Sequence, residues 1–518
     1  MKVFWHLVAF ALAVLSVASV WLGGLNQDEG WYLYAANLVA QGNMPYRDFF
    51  FTQAPLMPLV YSALRGFWME WGILGGRVVT LAFGLAGIVL FTAFARRLAG
   101  PEKRGLAALL AAMMLCGNLY HLYYLAIPKT YALASLFVAT GFYLLSFEGA
   151  AFAFAAGLSL AFSAATRMSL GVMLPVVGLG LLMPRAREGR GRLDWLFFGL
   201  GGALGLAVSF GPFLTAQCLP GFLASQFYHA GRAGFNMVFA VGSISRLVRW
   251  YLPVVVLSGL GVYACVSGKC GCASGASGRG RTVLRLAVVC FAAAFAVHML
   301  APVPYEDYQV PVMGLLAAVA AVVCAERLDA RPAAVALAVL GMTWAGSFGS
   351  PLLQQWSTGG QDRLWPVVRE KSELAQLREI AREIKALDPD GKDILTQDLY
   401  LAIETGRDVP RQLAMGPFSL WERLPYRGAE KVLLDADGMK RLLDSAPCGI
   451  AAMSGYSFAI TAPRCEKTPM NVQLGFWNIL KRNYDLVFTE ERFGQGSTPL
   501  MVLKRKASDS GGGEGPVQ

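Results

Sequence analysis

From Val3 to Ser350 the chain is a series of apolar runs, each about 17–24 residues long, separated by short polar stretches. A run of about 18 or more apolar residues with few charges is long enough to cross a bilayer as a helix. The pattern predicts about eleven transmembrane helices, near residues 3–25, 72–95, 105–124, 130–147, 150–166, 168–184, 194–217, 246–267, 283–301, 309–326 and 333–350. The connections among the third to sixth are very short. Beyond Pro351 the rhythm changes. A helix is expected over about 363–387, where Leu374, Leu377, Ile380, Ala381, Ile384 and Leu387 recur at helical spacing. A turn at Asp388–Gly391 and short strands at Ile394–Thr396, Gly449–Met453, Leu486–Thr489 and Leu500–Leu503 follow. The fold class predicted is an α-helical polytopic membrane module, residues 1–350, with a C-terminal extracytoplasmic α/β domain over 351–507. The latter, about 150 residues, is of ordinary domain size. The Gly- and Ser-rich tail, 508–518, is expected to be disordered. No internal repeat is visible.

Charge orients the module. One set of loops and span ends holds Arg96, Arg97, Lys103, Arg104, Arg185, Arg187, Arg190, Arg192, Lys269, Arg279, Arg281, Arg285, Arg327 and Arg331. The alternate set holds fewer: Arg47, Arg65, Lys129, Arg167 and Arg232. Arg77, Arg246 and Arg249, near outer span ends, weaken the contrast without reversing it. Cytoplasmic loops are the richer in Lys and Arg, so the N-terminus is expected in the cytoplasm. An odd number of spans then puts everything after Ser350 outside. The first run, after Lys2, contains the small residues Ser16 and Ser19, as a cleaved signal peptide would, but it is long enough to cross and more spans follow.

Two outer loops are long. In the first, about 26–71, Gly30 to Gln41 reads as a short helix with Trp31, Ala35, Leu38 and Val39 on one face, stopped by Gly42. Pro55 to Phe67 is a second apolar segment. With Tyr32, Tyr34, Tyr46, Phe49, Phe50 and Phe51 nearby, both are expected at the membrane surface. The second long loop, about 218–245, contains Gln226, Tyr228, His229 and Arg232.

Composition agrees: mean hydropathy is +0.47 and charged residues are 15%, against about 25% in soluble proteins. A net charge of +11 would raise nucleic acid as a partner in a soluble protein, but here the basic residues lie in loops between spans, where topology accounts for them. Most of the nine cysteines lie in or beside spans. Cys448 and Cys465 share the outer domain and are expected to pair if that compartment is oxidising. Cys270 and Cys272 alone do not make a zinc site.

Asp28 and Glu29 follow the first span directly. One reading is local: Asn26 caps the next helix and Glu29 completes a capping box. The surroundings add another. The acidic pair opens Asp28-Glu29-Gly30-Trp31-Tyr32, followed by Gln41-Gly42, an aromatic stretch and Ala54-Pro55-Leu56. Here the chain resembles the GT-C glycosyltransferases, the superfamily of protein O-mannosyltransferases and aminoarabinose transferases. The layout matches throughout. The residues match best over about 26–62 and more weakly near 163–170 and 302–311. Ala54 departs from the second proline that many members carry.

The resemblance implies a bacterial inner-membrane enzyme that transfers a sugar from a polyprenyl-phosphate donor to a lipid, glycan or protein acceptor at the outer face. Asp28 matches the family's first-loop aspartate and is the candidate base; a carboxylate, ionised at neutral pH, can accept a hydroxyl proton in the transition state. Glu29 would position the acceptor or orient Asp28. Arg167, in Ala165-Thr166-Arg167, and Lys129, at the start of the fourth span, are candidates for the donor phosphate; the alternative for each is snorkelling to the interface. Tyr305 and Tyr308, in Pro304-Tyr305-Glu306-Asp307-Tyr308-Gln309-Val310-Pro311, could bond phosphate or sugar, or merely belong to an aromatic belt. His229 could bind phosphate or acceptor. Glu306 and Asp307 could join Asp28 around a divalent metal, but oxygen-ligand sites need several groups and no clear set emerges, leaving metal use open.

A transporter of lipid-linked sugars would instead show broken helices and paired charges within the spans. A non-catalytic assembly protein would need Asp28 and Glu29 only as a cap. An enzyme requires Asp28, Arg167 and Tyr305 to meet in one cavity. No nucleotide-binding loop or G-x-S-x-G sequence occurs in the outer domain.

Overall fold

The computed structural model describes residues 2–183, 193–227, 235–266, 278–327, 332–347, 357–359, 366–368, 371–455, 458 and 468–507. His229, Cys465, the Cys270/Cys272 pair and the tail from residue 508 lie outside the described residues. The disulfide expected between Cys448 and Cys465 therefore falls outside them as well.

Long apolar helices dominate the first two thirds. By length and composition, Arg65–Leu98, Asp194–Phe213, Arg279–Met299 and Glu306–Arg327 can each cross a membrane. Three further pairs pass only together, bent by 83° between Phe10–Leu22 and Gln27–Ala40, 71° between Arg104–Cys116 and Leu119–Ala126, and 91° between Met237–Trp250 and Leu252–Gly259. Shorter apolar helices cover Thr130–Leu145, Ala150–Thr166, Met168–Leu182 and Ala333–Ser347. Every predicted run coincides with one of these, but length alone supports four spans, or up to seven with the bent pairs. Bends and short helices are what the unbroken apolar pattern did not reveal.

Residues Val310 to Ala325 are all buried, so the helix α1 (Val310–Arg327) forms the axis of the bundle. The helices α2 (Ala150–Thr166) and α3 (Asp194–Phe210) pack backbone to backbone: a Cβ at Gly157 or Gly201 would collide with a carbonyl of the partner helix. Small residues at such contacts are how apolar helices associate tightly. Leu196, Leu200, Leu204 and Val208 leave the opposite side of α3 exposed and apolar, as a lipid-facing surface requires.

The C-terminal domain carries the sheet β3-β4-β6-β5, built from β3 (Ile394–Thr396), β4 (Ile450–Met453), β5 (Tyr484–Phe493) and β6 (Thr498–Arg505); β1 (Ser357–Gly359) and β2 (Pro366–Val368) form a separate antiparallel pair. β3 runs parallel to β4, and β6 pairs antiparallel with both β4 and β5. All four predicted strands are present. The predicted helix starts later, at Glu373, because Ser372 accepts the amide of Ala375 as its cap and Pro366–Val368 is strand.

The expected surface helix is α4 (Gln27–Ala40), with Asn26 and Glu29 forming the anticipated capping box. It is not a surface helix: Glu29 through Asn37 are all buried. The C-terminal domain covers it. A Cβ at Gly30 would collide with the backbone of Leu399 and Tyr400, and the hydroxyl of Tyr34 accepts the amide of Val409 at 3.0 Å.

Candidate active site

The turn that carries Asp28 is fixed from within the helical module. Arg77 is fully buried on the long helix Gly72–Leu98. It donates to the Val20, Gly23 and Gly24 carbonyls at 2.8–2.9 Å, the last turn and exit of the first helix. It also forms a bidentate pair with Glu29, at 2.6 and 2.7 Å. Planar guanidinium geometry suits this simultaneous capture of carbonyls and carboxylate. Glu29 Oε1 additionally accepts the Asn26 amide at 2.8 Å. Glu29 is thus committed to the elbow between two helices and does not reach the cavity; its neighbour Asp28 does.

That cavity, about 500 Å³, lies where the helical module meets the C-terminal domain. Asp28, Lys129, Arg167, Tyr305 and Tyr308 all line it. Lys129 occupies its centre of charge: the ammonium lies 2.8 Å from Asp28 Oδ2 and 2.9 Å from Asp307 Oδ2. Asp307 also accepts the Tyr131 hydroxyl at 2.9 Å. Of the three carboxylates considered as metal ligands, Asp28 and Asp307 are therefore bridged by a lysine, and no cluster of three His, Cys, Asp or Glu side chains that could hold a metal occurs among the described residues.

Arg167 differs from Lys129. It lies over the rings of Tyr131 and Tyr308, 5.0 and 4.5 Å from their centroids, and has no carboxylate partner among the described residues. Its buried Nε makes no hydrogen bond. A desolvated cation held by aromatic faces, with its donors unspent, can take an anion. Tyr305 packs edge-on against Phe239 and Tyr308, and Glu306, also on the cavity wall, pairs with Arg246 at 3.0 Å.

Sequence reasoning missed several lining residues. His298, buried, hydrogen-bonds Ser169 at 2.7 Å through Nε2 and Gln309 at 3.1 Å through Nδ1. It carried no motif. From the C-terminal domain come Phe418, edge-on to Trp31 at 4.2 Å, and Gln495. In the sequence Arg77 reads as a topological charge; its place inside an apolar span is the signal for more, since charged residues there are seldom idle.

Solved structures of similar architecture include the aminoarabinose transferase ArnT from Cupriavidus metallidurans, bound to undecaprenyl phosphate. It aligns with a TM-score of 0.63 at 15% identity, over 98% of this chain and 99% of that one. The Archaeoglobus fulgidus oligosaccharyltransferase, in complex with Zn and sulfate, aligns with a TM-score of 0.50 at 12% identity, over 95% of this chain and 72% of its own. The sequence matches no protein-family model and no curated protein. At these identities the likeness establishes the fold alone: the chain shares the overall architecture of these two structures.

Proposed function

We propose that this protein is a glycosyltransferase that moves a sugar from a polyprenyl-phosphate carrier to an acceptor hydroxyl at the outer face of the bacterial inner membrane. The N-terminus is cytoplasmic and the C-terminal domain periplasmic. The observation that carries the reading is the meeting of Asp28, Lys129, Arg167 and Tyr305 in one cavity; a helix cap alone would not need it. Undecaprenyl phosphate in the ArnT structure supports a lipid-phosphate donor here.

In this reading the acceptor oxygen attacks the anomeric carbon from the face opposite the phosphate and inverts it. Asp28 takes the hydroxyl proton as the new bond forms. The sugar–phosphate bond breaks, and the electron pair leaves on the polyprenyl phosphate. Arg167 and Lys129 stabilise that developing charge, more strongly than in water because the site is largely buried. Tyr305 and Tyr308 hold the donor head. Glu29 orients Asp28 through the Arg77 elbow.

The three bent helix pairs are a feature expected of a transporter of lipid-linked sugars. Purified protein in lipid, given undecaprenyl-phosphate hexoses and pentoses with a crude envelope extract, separates the two. A transferase releases free undecaprenyl phosphate. A transporter moves the intact donor across vesicles and releases none.

A further inference from the structure

The first amides of a helix have no partner within it. In α4, Asn26 supplies two: its side chain accepts the Asp28 amide at 3.0 Å and its carbonyl accepts the Glu29 amide at 3.0 Å. The Gln27 amide is bonded from elsewhere. Its acceptor is Oε1 of Gln495, 3.0 Å away and 468 positions along the chain. Gln495 sits at the tip of the β5–β6 hairpin, between Gly494, in the left-handed region at φ 66°, and Gly496. The tip rests on Tyr400, whose hydroxyl a Cβ at Gly494 would strike. The backbone of Tyr400 in turn presses on Gly30, in the same turn of α4.

A second bond from the domain meets the same elbow. Glu373 Oε2 accepts the buried Leu25 amide at 2.6 Å. The peptide run from Leu25 to Gly30 is therefore gripped from the helical module by Arg77 and from the C-terminal domain by Glu373, Gln495 and Tyr400. Asp28 lies in the middle of that run.

We infer that the C-terminal domain completes the active site, with Gln495 a positioning residue that holds the first turn of α4 so that the Asp28 carboxylate faces the acceptor. The inference rests on Asp28 being the base. It assigns the domain a part in the chemical step, beyond covering the cavity. Small displacements of a reacting group lower rates steeply, and the Gln27–Gln495 bond, one of several that hold this turn, contributes little to overall stability.

The test compares wild type, Gln495→Ala and Gln495→Glu, each alone and combined with Asp28→Asn, in lipid with an undecaprenyl-phosphate sugar that the wild type uses. Gln495→Ala is expected to lower kcat about tenfold, with both KM values and the unfolding midpoint unchanged. Gln495→Glu, which keeps the acceptor oxygen, restores the rate. Amide exchange over Leu25–Gly30 speeds up in Gln495→Ala and returns in Gln495→Glu. In the Asp28→Asn background, Gln495→Ala costs nothing further, because the group it positions is gone. Wild-type kcat in Gln495→Ala overturns the inference, as does a raised acceptor KM at unchanged kcat, which would mean direct contact with substrate. An equal further loss on top of Asp28→Asn overturns it too. Wild-type activity in Asp28→Asn alone identifies the base assignment as the part that failed.

Discussion

Lys129 and Asp28, which the sequence suggests for separate tasks of phosphate binding and proton abstraction, are joined as an ion pair at 2.8 Å. Lys129 also holds Asp307 at 2.9 Å, and all three side chains are at most 16% exposed. One ammonium thus keeps two nearly buried carboxylates together, and under the proposed function a donor phosphate entering the cavity competes with both for it. Replacing it leaves two like charges without a partner, an arrangement that costs about 3–5 kcal/mol when buried. Lys129→Met is expected to lower the unfolding midpoint and to cut transfer by about a hundredfold. Lys129→Met/Asp307→Asn should recover most of the midpoint and little of the transfer. Recovery of both would mean that Lys129 serves structure alone.

Arg167 lacks such obligations. Its ring contacts with Tyr131 and Tyr308 are worth about 1–2 kcal/mol each at most. Arg167→Ala is expected to shift the unfolding midpoint only slightly while weakening undecaprenyl phosphate binding at least about tenfold, the loss of one charge-assisted contact. Arg167→Lys should recover part of it. Binding measured with undecaprenyl phosphate alone, without any sugar, checks this directly.

Arg77 spends its guanidinium on three carbonyls and both oxygens of Glu29. Lysine cannot reproduce that pattern. Arg77→Lys and Arg77→Ala should both destabilise the protein, the latter by about 3–5 kcal/mol for the orphaned Glu29 charge. The measurement is the unfolding midpoint in detergent, and an unchanged value for Arg77→Ala would remove the elbow from the account.

What was legible in the sequence was local. The Asn26–Glu29 capping box links positions three apart, helical spacing marks the helix that ends at Leu387, and the four strands of the main sheet fall on the short segments expected for them. What was illegible was long-range. Arg77 meets Glu29 across 48 positions, Lys129 meets Asp307 across 178, and Gln495 meets Gln27 across 468. The burial of α4 depends on a domain beginning more than 300 residues later, so its aromatic composition read equally well as a membrane-surface helix. The bend between Cys116 and Leu119 is faint in the sequence, where only Gly117 and Asn118 mark it; Asn118 caps the second half and donates to the Trp250 carbonyl, at the break in another bent pair.

A pH dependence follows from the C-terminal domain. Burial pushes the Asp398 carboxyl up to about 6, against hydrogen bonds from Ser454 and Tyr400 that favour the ionised form. Unfolded, an aspartate titrates near 3.9. Between about pH 4 and 6 the native state therefore holds a proton that the unfolded chain has released. This group's contribution to stability is complete below about pH 4 and is lost as pH rises through about 6, a change of about 3 kcal/mol. Asp398→Asn should raise the unfolding midpoint at pH 7.5 and change it little at pH 4.5. Equal shifts at both values would contradict the assignment.

The central claim is that Asp28 removes the acceptor proton in a sugar transfer from a lipid phosphate. Its most direct test is the release of free undecaprenyl phosphate by wild type and Asp28→Asn, compared in lipid with an undecaprenyl-phosphate sugar and envelope acceptor. The account predicts release by the wild type and a fall of at least about a hundredfold in the variant, with donor binding retained. Release at the wild-type rate by Asp28→Asn would contradict it.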